Sequence, residues 1–181
     1  TGDLAREFAG LVGPKGHVVL ADINAAMLEQ GRSRLIDAGV AGNLSIAQVD
    51  AQDLPFADNT FDRITIAFGL RNVTDKAAAI ASMRRVLKPG GQLVICDAGK
   101  ANWFHGLAGR IWMATAVQVL ARIVTKDKNH PWKGLANTYS HYGTNGYYRT
   151  MIKDVGYQEV QGRLLWPFAM ASRFRGTKPE Q

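Results

Sequence analysis

Three carboxylates give the first chemical signal: Asp3, Asp22 and Asp50. Thr1-Gly2-Asp3 directly precedes an apolar-periodic run. A glycine there lets backbone approach a ligand, and a helix N-terminus favours negative charge. Asp22 closes the next apolar run, and an acid at a strand end can accept hydrogen bonds from both ribose hydroxyls of a nucleoside. It stands 20 residues beyond Gly2, close to the ~20 that separate a glycine turn from its ribose acid. Asp50 closes the run after that and can accept from an adenine amine, while Ala51 leaves room for the ring. Phe68 ends the following run. Each acid has a plainer reading. Asp3 can be a helix-start charge worth ~0.3–1 kcal/mol, and Asp22 and Asp50 can be turn residues. Three acids at neighbouring element ends point instead to a bound nucleoside. No G-x-G-x-x-G occurs, so a nucleoside without a pyrophosphate fits better than a dinucleotide.

The elements that must position these residues follow from hydrophobic period and turn chemistry. Residues 3–12 read as a helix with Leu4, Phe8, Leu11 and Val12 on one side, stopped by Gly13-Pro14. A strand over 17–22 leads to a helix over 24–38 with Met27, Leu28 and Leu35 inward, and then to a strand over 44–49. After a loop of small and acidic residues come a strand over 61–68, a helix over 75–87 ended by Lys88-Pro-Gly-Gly91, and a strand over 92–96. Short apolar strands alternating with helices predict an α/β fold with a mostly parallel, Rossmann-like sheet. After Asp97 the rhythm changes. A long helix is expected over 103–124, a weaker one over 132–141 and another over 146–154. Runs 157–165 and 168–174 then alternate around Trp166-Pro167 and predict a closing antiparallel hairpin. The expectation is one domain over 1–181, with 101–145 inserted as a helical cap.

Composition narrows the class. With 181 residues, 46% hydrophobic and 20% charged, the chain suits a single soluble domain with a real core. No apolar run is long enough for a membrane span, and no leader pattern opens the chain. The single cysteine, Cys96, excludes an intrachain disulfide framework and a multi-cysteine zinc site, so the expected compartment is the reducing cytoplasm. The net charge of +7 is uneven: residues 1–100 hold eleven bases and eleven acids, whereas 101–181 hold eleven bases and four acids. A basic back half suits an anionic partner such as an acidic membrane surface, or is a solvated basic surface. No RNA-binding signature or dense basic run is present, so nucleic acid is not expected as a partner.

Thr1-Gly-Asp-Leu, Val18-Val-Leu-Ala-Asp-Ile-Asn24, Leu54-Pro-Phe, Asp58-Asn-Thr-Phe-Asp62, Phe68-Gly-Leu-Arg-Asn-Val-Thr-Asp75 and Arg85-Val-Leu-Lys-Pro-Gly-Gly91 resemble the ubiquinone/menaquinone C-methyltransferase family. That family lies within the class I S-adenosylmethionine (SAM)-dependent methyltransferases. The last of these segments is shared by many methyltransferases, and the Phe68–Asp75 segment is the specific one. The resemblance covers residues 1–97. It implies that Thr1, Gly2 and Asp3 hold the amino-acid end of SAM, that Asp22 takes the ribose, and that Ile23 and Met27 pack near the adenine. Asp50 and Ala51 match the adenine-contacting pair. It also implies catalytic roles for Arg71 and Asn72, since the arginine of this segment has been proposed to help deprotonate the substrate.

The chain begins inside the glycine loop of that family. A parallel sheet without its central strand would expose two unpaired edges. The chain is therefore expected to be a fragment of a longer protein, or to fill the gap with another segment. The strand after Pro89-Gly-Gly91 ends Asp97-Ala-Gly99 where the family usually has Glu-x-Ser, and residues 100–166 match the family poorly.

The leading functional expectation is SAM-dependent C-methylation of a prenylated quinol at a membrane surface. The alternatives are O- or N-methylation of another small molecule or lipid, and a non-catalytic methyltransferase-like binding domain. C-methylation needs an ionised phenol, and Arg71 can stabilise the phenolate or orient a water. His105, His130 and His141 receive no role. Trp132, Tyr139, Tyr142, Tyr147 and Tyr148 either line an aromatic substrate pocket or pack a core.

Overall fold

A computed structural model of the chain describes residues 2–40, 42–98, 111, 115, 143–165 and 171–180. The chain divides into two units, Thr1–Pro55 and Phe56–Gln181.

The first unit runs α1 (Asp3–Val12), β1 (Val18–Asp22), α2 (Ala25–Asp37) and β2 (Leu44–Gln48). Its strands pair in parallel, with Val18 opposite Leu44 and Asp22 opposite Gln48. The two acids expected at strand ends therefore belong to neighbouring strands. Helix α2 starts where the Asn24 side chain accepts hydrogen bonds from the backbone N–H groups of Ala26 and Met27, satisfying donors that the first turn leaves orphaned. Two inward faces differ from expectation. Helix α1 buries Ala5 and Ala9 while Leu4 and Leu11 are exposed; small side chains let it lie against β1. In α2, Leu28 and Leu35 are buried as expected, but Met27 is 42% exposed because the buried stripe runs through Leu28, Gly31 and Leu35.

The second unit opens with β3 (Phe61–Ala67), a 3₁₀ turn (Leu70–Asn72), α3 (Lys76–Val86) and β4 (Leu87–Ala98). Helix α4 (Asn145–Asp154), β5 (Gln158–Leu165) and β6 (Ala171–Thr177) follow. The sheet order is β3-β4-β6-β5, with β3 and β4 parallel and β6 antiparallel to both of its neighbours. A closing hairpin is present, but its last strand lies inside the sheet, between β4 and β5. The expected 92–96 strand is longer, because Leu87 pairs with Phe61 before an irregularity and Gln92 pairs with Arg63 after it.

Caps and packing explain the helices. The Asp75 carboxylate accepts from the Ala78 N–H at the start of α3, and the Thr144 hydroxyl accepts from the Tyr147 N–H at the start of α4. Helix α3 buries Ala79, Ile80, Met83 and Val86. One face of β4 and β6 carries Leu93, Ile95 and Asp97 opposite Gly176, Phe174 and Ser172, all of them buried. Tyr148 packs its ring on Phe174 with centroids 5.3 Å apart, so of the aromatic candidates this one is core. Tyr147 is half exposed, and Trp132, Tyr139 and Tyr142 lie outside the described residues. So do His105, His130, His141 and nearly all of the expected helices over 103–124 and 132–141.

The Arg85–Gly91 segment is scaffolding. Arg85 donates to the Phe56 carbonyl and to Asp58, and Lys88 donates to Asp62 at 2.8 Å. That lysine holds the Asp62 carboxyl below its ordinary range. Lys178 closes the arrangement by donating to Asn59 Oδ1 and to the Leu87 carbonyl. Among the described residues, no helix is long and apolar enough to cross a membrane.

Ser172 is fully buried, and its hydroxyl has no hydrogen-bond partner among the described residues. A hydroxyl left unpaired in a core carries a desolvation penalty and returns nothing. Ser172→Ala is therefore expected to leave stability unchanged or to raise it by up to ~1 kcal/mol, read by thermal melting. A loss of that size would show that the hydroxyl is bonded.

Candidate active site

In open α/β sheets, ligands gather at the carboxyl ends of the strands, and in the first unit that end holds most of the expected cofactor set. Gly2 has φ +86° and precedes α1. A Cβ there would meet the Gly31 carbonyl oxygen at 3.1 Å, so both conformation and space call for glycine. Asp3 sits in the first turn of α1, with Arg34 Nη1 at 3.4 Å from its Oδ2. Thr1 lies outside the described residues.

Asp22 ends β1 exposed, and one of its oxygens, Oδ1, accepts from the Asn24 N–H at 2.9 Å. The turn reading is thus correct for that oxygen. Oδ2 has no hydrogen-bond partner among the described residues, which leaves an acceptor facing water at the strand end. Beyond it, Ile23 is 64% exposed and Met27 partly so, apolar surface suited to a flat ring. The Gln48 side chain donates to the Ile23 carbonyl and fixes that turn.

Asp50 follows β2, and both of its oxygens accept from Gln52: the backbone N–H at 2.9 Å and the side-chain amide at 3.2 and 3.0 Å. Ala51 lies half-buried within the same turn. Gln52 was not singled out from the sequence. Its only signal there was a position two residues after a strand-end acid, where a side chain can reach back over the turn.

The second unit holds Phe68, Arg71 and Asn72. Phe68 follows β3 with φ +54°, a left-handed backbone that a bulky residue adopts only under constraint. Its N–H donates to the Cys96 carbonyl at 2.7 Å, and its ring is half exposed. The Arg71 guanidinium carbon lies 5.5 Å from the centre of that ring, within cation–π range. Asp97, fully buried, accepts from the Arg71 backbone N–H at 2.9 Å and from its Nη1 at 3.1 Å. The Asn72 side chain is exposed on the same 3₁₀ turn. The sequence reading noted Asp97 only as a departure from a family pattern. Its contact with Arg71 depends on the pairing of β3 with β4, which spacing alone does not reveal.

Cys96 lies between the Phe68 contact and Asp97. Burial, and next the Asp97 carboxylate, push its thiol above the ordinary value, with Arg173 opposing.

These arrangements fit a nucleoside ligand: a glycine close to backbone, an open carboxylate acceptor and exposed apolar surface beside it. Solved structures share the fold. A SAM-dependent methyltransferase from Aquifex aeolicus superposes with a TM-score of 0.67 at 19% identity, covering 96% of this chain and 75% of that one. One from Methanosarcina mazei gives 0.67 at 20% identity, covering 99% and 89%. The fold is that of the class I SAM-dependent methyltransferases.

Within that class, the model of the ubiE/COQ5 methyltransferase family matches residues 1–178, and the chain belongs to that family. The protein named ubiquinone/menaquinone biosynthesis C-methyltransferase UbiE from Pseudomonas syringae pv. tomato is 44% identical over 180 residues, which is 99% of this chain and 70% of that protein. The protein of the same name from Shewanella sp. strain ANA-3 is 47% identical over 163 residues, 88% of this chain and 64% of that one. The family model and the alignment to the Pseudomonas protein both extend past residue 97 over nearly the whole chain. Family and fold together imply SAM as methyl donor.

The Cys96 thiol yields a pH prediction. Its folded pKa is raised above the unfolded value, so its contribution to stability is full below the unfolded pKa and is lost as pH rises through the folded one. At pH 8 its alkylation by iodoacetamide, followed by mass spectrometry, is expected to be at least ~10-fold slower than in the urea-unfolded chain. Equal rates would contradict the raised value.

Proposed function

We propose that the protein transfers the SAM methyl group to a ring carbon of a prenylated quinol; its relatives are named ubiquinone/menaquinone biosynthesis C-methyltransferases. The observation that carries this reading is identity above 40% with proteins of that name, extending over 99% of the chain in the first of them. In this reading Gly2 and Asp3, with Thr1, hold the amino-acid end of the donor. Asp22 takes the ribose hydroxyls, Ile23, Met27, Asp50 and Ala51 take the adenine, and Phe68 is assigned to cofactor binding as well.

SAM, when bound, supplies an electrophilic methyl group on a sulfonium for in-line displacement. The chain's own task is to orient the acceptor and raise the electron density of its ring. An ionised phenol does the latter, and its oxygen needs a cation beside it. Arg71 meets that need: its side chain is about one-quarter exposed, beside the Phe68 ring, which can stack on an aromatic acceptor. Arginine stays protonated and is no base, so it stabilises the phenolate, Asn72 donates or accepts at a second polar group, and the protons leave to water. A prenylated acceptor belongs in a bilayer, and the excess of bases after residue 100 supports an acidic membrane surface, reached from the cytoplasm, as the meeting place.

The cofactor half is tested by calorimetry with SAM and S-adenosylhomocysteine. Asp22→Ala removes both acceptors and is expected to weaken binding ~10- to 100-fold, the value of one or two hydrogen bonds to a charged group. Asp22→Asn keeps the bond to the Asn24 N–H and loses only the open acceptor, so it separates the ribose role from the turn. Unchanged affinity in both variants would remove Asp22 from the cofactor site.

A further inference from the structure

We propose that Asp97 is a positioning residue for the methyl transfer: it locks the Arg71 guanidinium beside the Phe68 ring, so that the cation meets the acceptor oxygen in a single orientation. This rests on the reading of Arg71 given above. Asp97 occupies the last inward position described on β4, opposite Ser172 on β6, and has no exposure to water. A carboxylate so placed is expensive unless it is paired and hydrogen-bonded. Here it holds one residue at two points, taking the backbone N–H of Arg71 on Oδ2 and its Nη1 on Oδ1.

The backbone contact alone does not account for a buried charge, because the turn is already closed by the bonds Asn72 N–H to Gly69 carbonyl and Val73 N–H to Leu70 carbonyl. The second contact fixes the side chain. An arginine carries several rotatable bonds whose freedom would otherwise be lost when the acceptor binds. Gripping one Nη while the side chain stays partly exposed meets that cost in the folded state. The guanidinium carbon then lies 5.5 Å from the Phe68 ring centre. The ring is itself held by the strained backbone at Phe68 and by its bond to the Cys96 carbonyl, one residue before Asp97. Strand β4 thus sets both members of the cation–ring pair from consecutive residues.

Arg71→Gln, Asp97→Asn and the double variant separate positioning from stability. The readouts are kcat and KM with a short-tailed demethylmenaquinol in detergent, SAM affinity by calorimetry and the melting temperature. Each single variant is expected to lower kcat ~10- to 100-fold, the scale of a misplaced catalytic group, with SAM affinity changed less than about twofold. Arg71→Gln leaves a buried carboxylate without its cation and should also melt earlier. The double variant, a neutral pair, should regain melting temperature but not turnover.

Wild-type kcat in Asp97→Asn beside a slow Arg71→Gln would overturn the positioning role and leave Arg71 standing. Turnover regained together with melting temperature in the double variant would reduce the pair to scaffold. Wild-type kcat in Arg71→Gln would remove the Arg71 reading and this inference with it. Should Asp97→Asn not fold, Asp97→Glu decides, because it keeps the charge and shifts the carboxylate by one methylene. It is expected to lower kcat about three- to tenfold with SAM affinity intact, and wild-type kcat would overturn the role.

Discussion

A carboxylate removed from water must be matched by charge and hydrogen bonds, or it unfolds its surroundings. Asp97 imposes that constraint on the second unit. It stands in line with Leu93 and Ile95 on the face of β4 that meets Phe174 and Ser172, so everything that builds this core also fixes the place of the charge. The parallel register of β3 and β4, with Ala67 opposite Cys96, then decides which residues come within its reach. The turn after β3 is short, and Arg71 is delivered to the carboxylate through both backbone and side chain. A polar feature at the edge of an apolar core thereby acquires the rigidity of the core.

The scaffold around this site is polar in a different way. Arg85 at the end of α3 holds Asp58 in the loop before β3, Lys88 on β4 pairs with Asp62 on β3, and Lys178 joins Asn59 to the Leu87 carbonyl. Surface ion pairs of this kind contribute little each. Their effect here is geometric: Asn59 is held at φ +56° with its N–H on the Arg85 carbonyl, and Thr60 donates its N–H to the Val86 carbonyl. The strand that carries Phe68 at its far end is thus set in register at its near end. A motif with this task carries no information about the acceptor.

Period and turn chemistry made most elements legible. Asn24 and Asp75 start helices as their capping chemistry implies, and β1, β2 and β3 fall within one residue of their apolar runs. Apolar period failed on α1, where Leu4, Phe8 and Leu11 mark the obvious stripe but the helix lies on Ala5 and Ala9. Close approach selected small residues over large ones. The strand order was also hidden. A hairpin read from neighbouring runs says nothing about which strand meets the rest of the sheet, and that is set by the pairing of 92–98 with 171–177. The site divides in the same manner. Acids at strand ends are visible because the strands are, whereas the roles of Gln52 and Asp97 arise from a turn and from a register.

Asp3, Asp22 and Asp50, alike in the sequence, differ in what they can offer a ligand. Asp50 has both oxygens engaged by Gln52, two residues away, and Asp3 faces Arg34. A donor arriving at either would exchange one hydrogen bond for another, and such exchanges contribute little net affinity. Asp22 differs because its turn bond uses a single oxygen. A donor at Oδ2 displaces only water, and the Asn24 N–H on Oδ1 has already fixed the carboxylate plane. Pre-set orientation with an unused acceptor favours affinity, so under the proposed function Asp22 would carry the greatest share of cofactor recognition, with Asp50 and Asp3 shaping the surface around it.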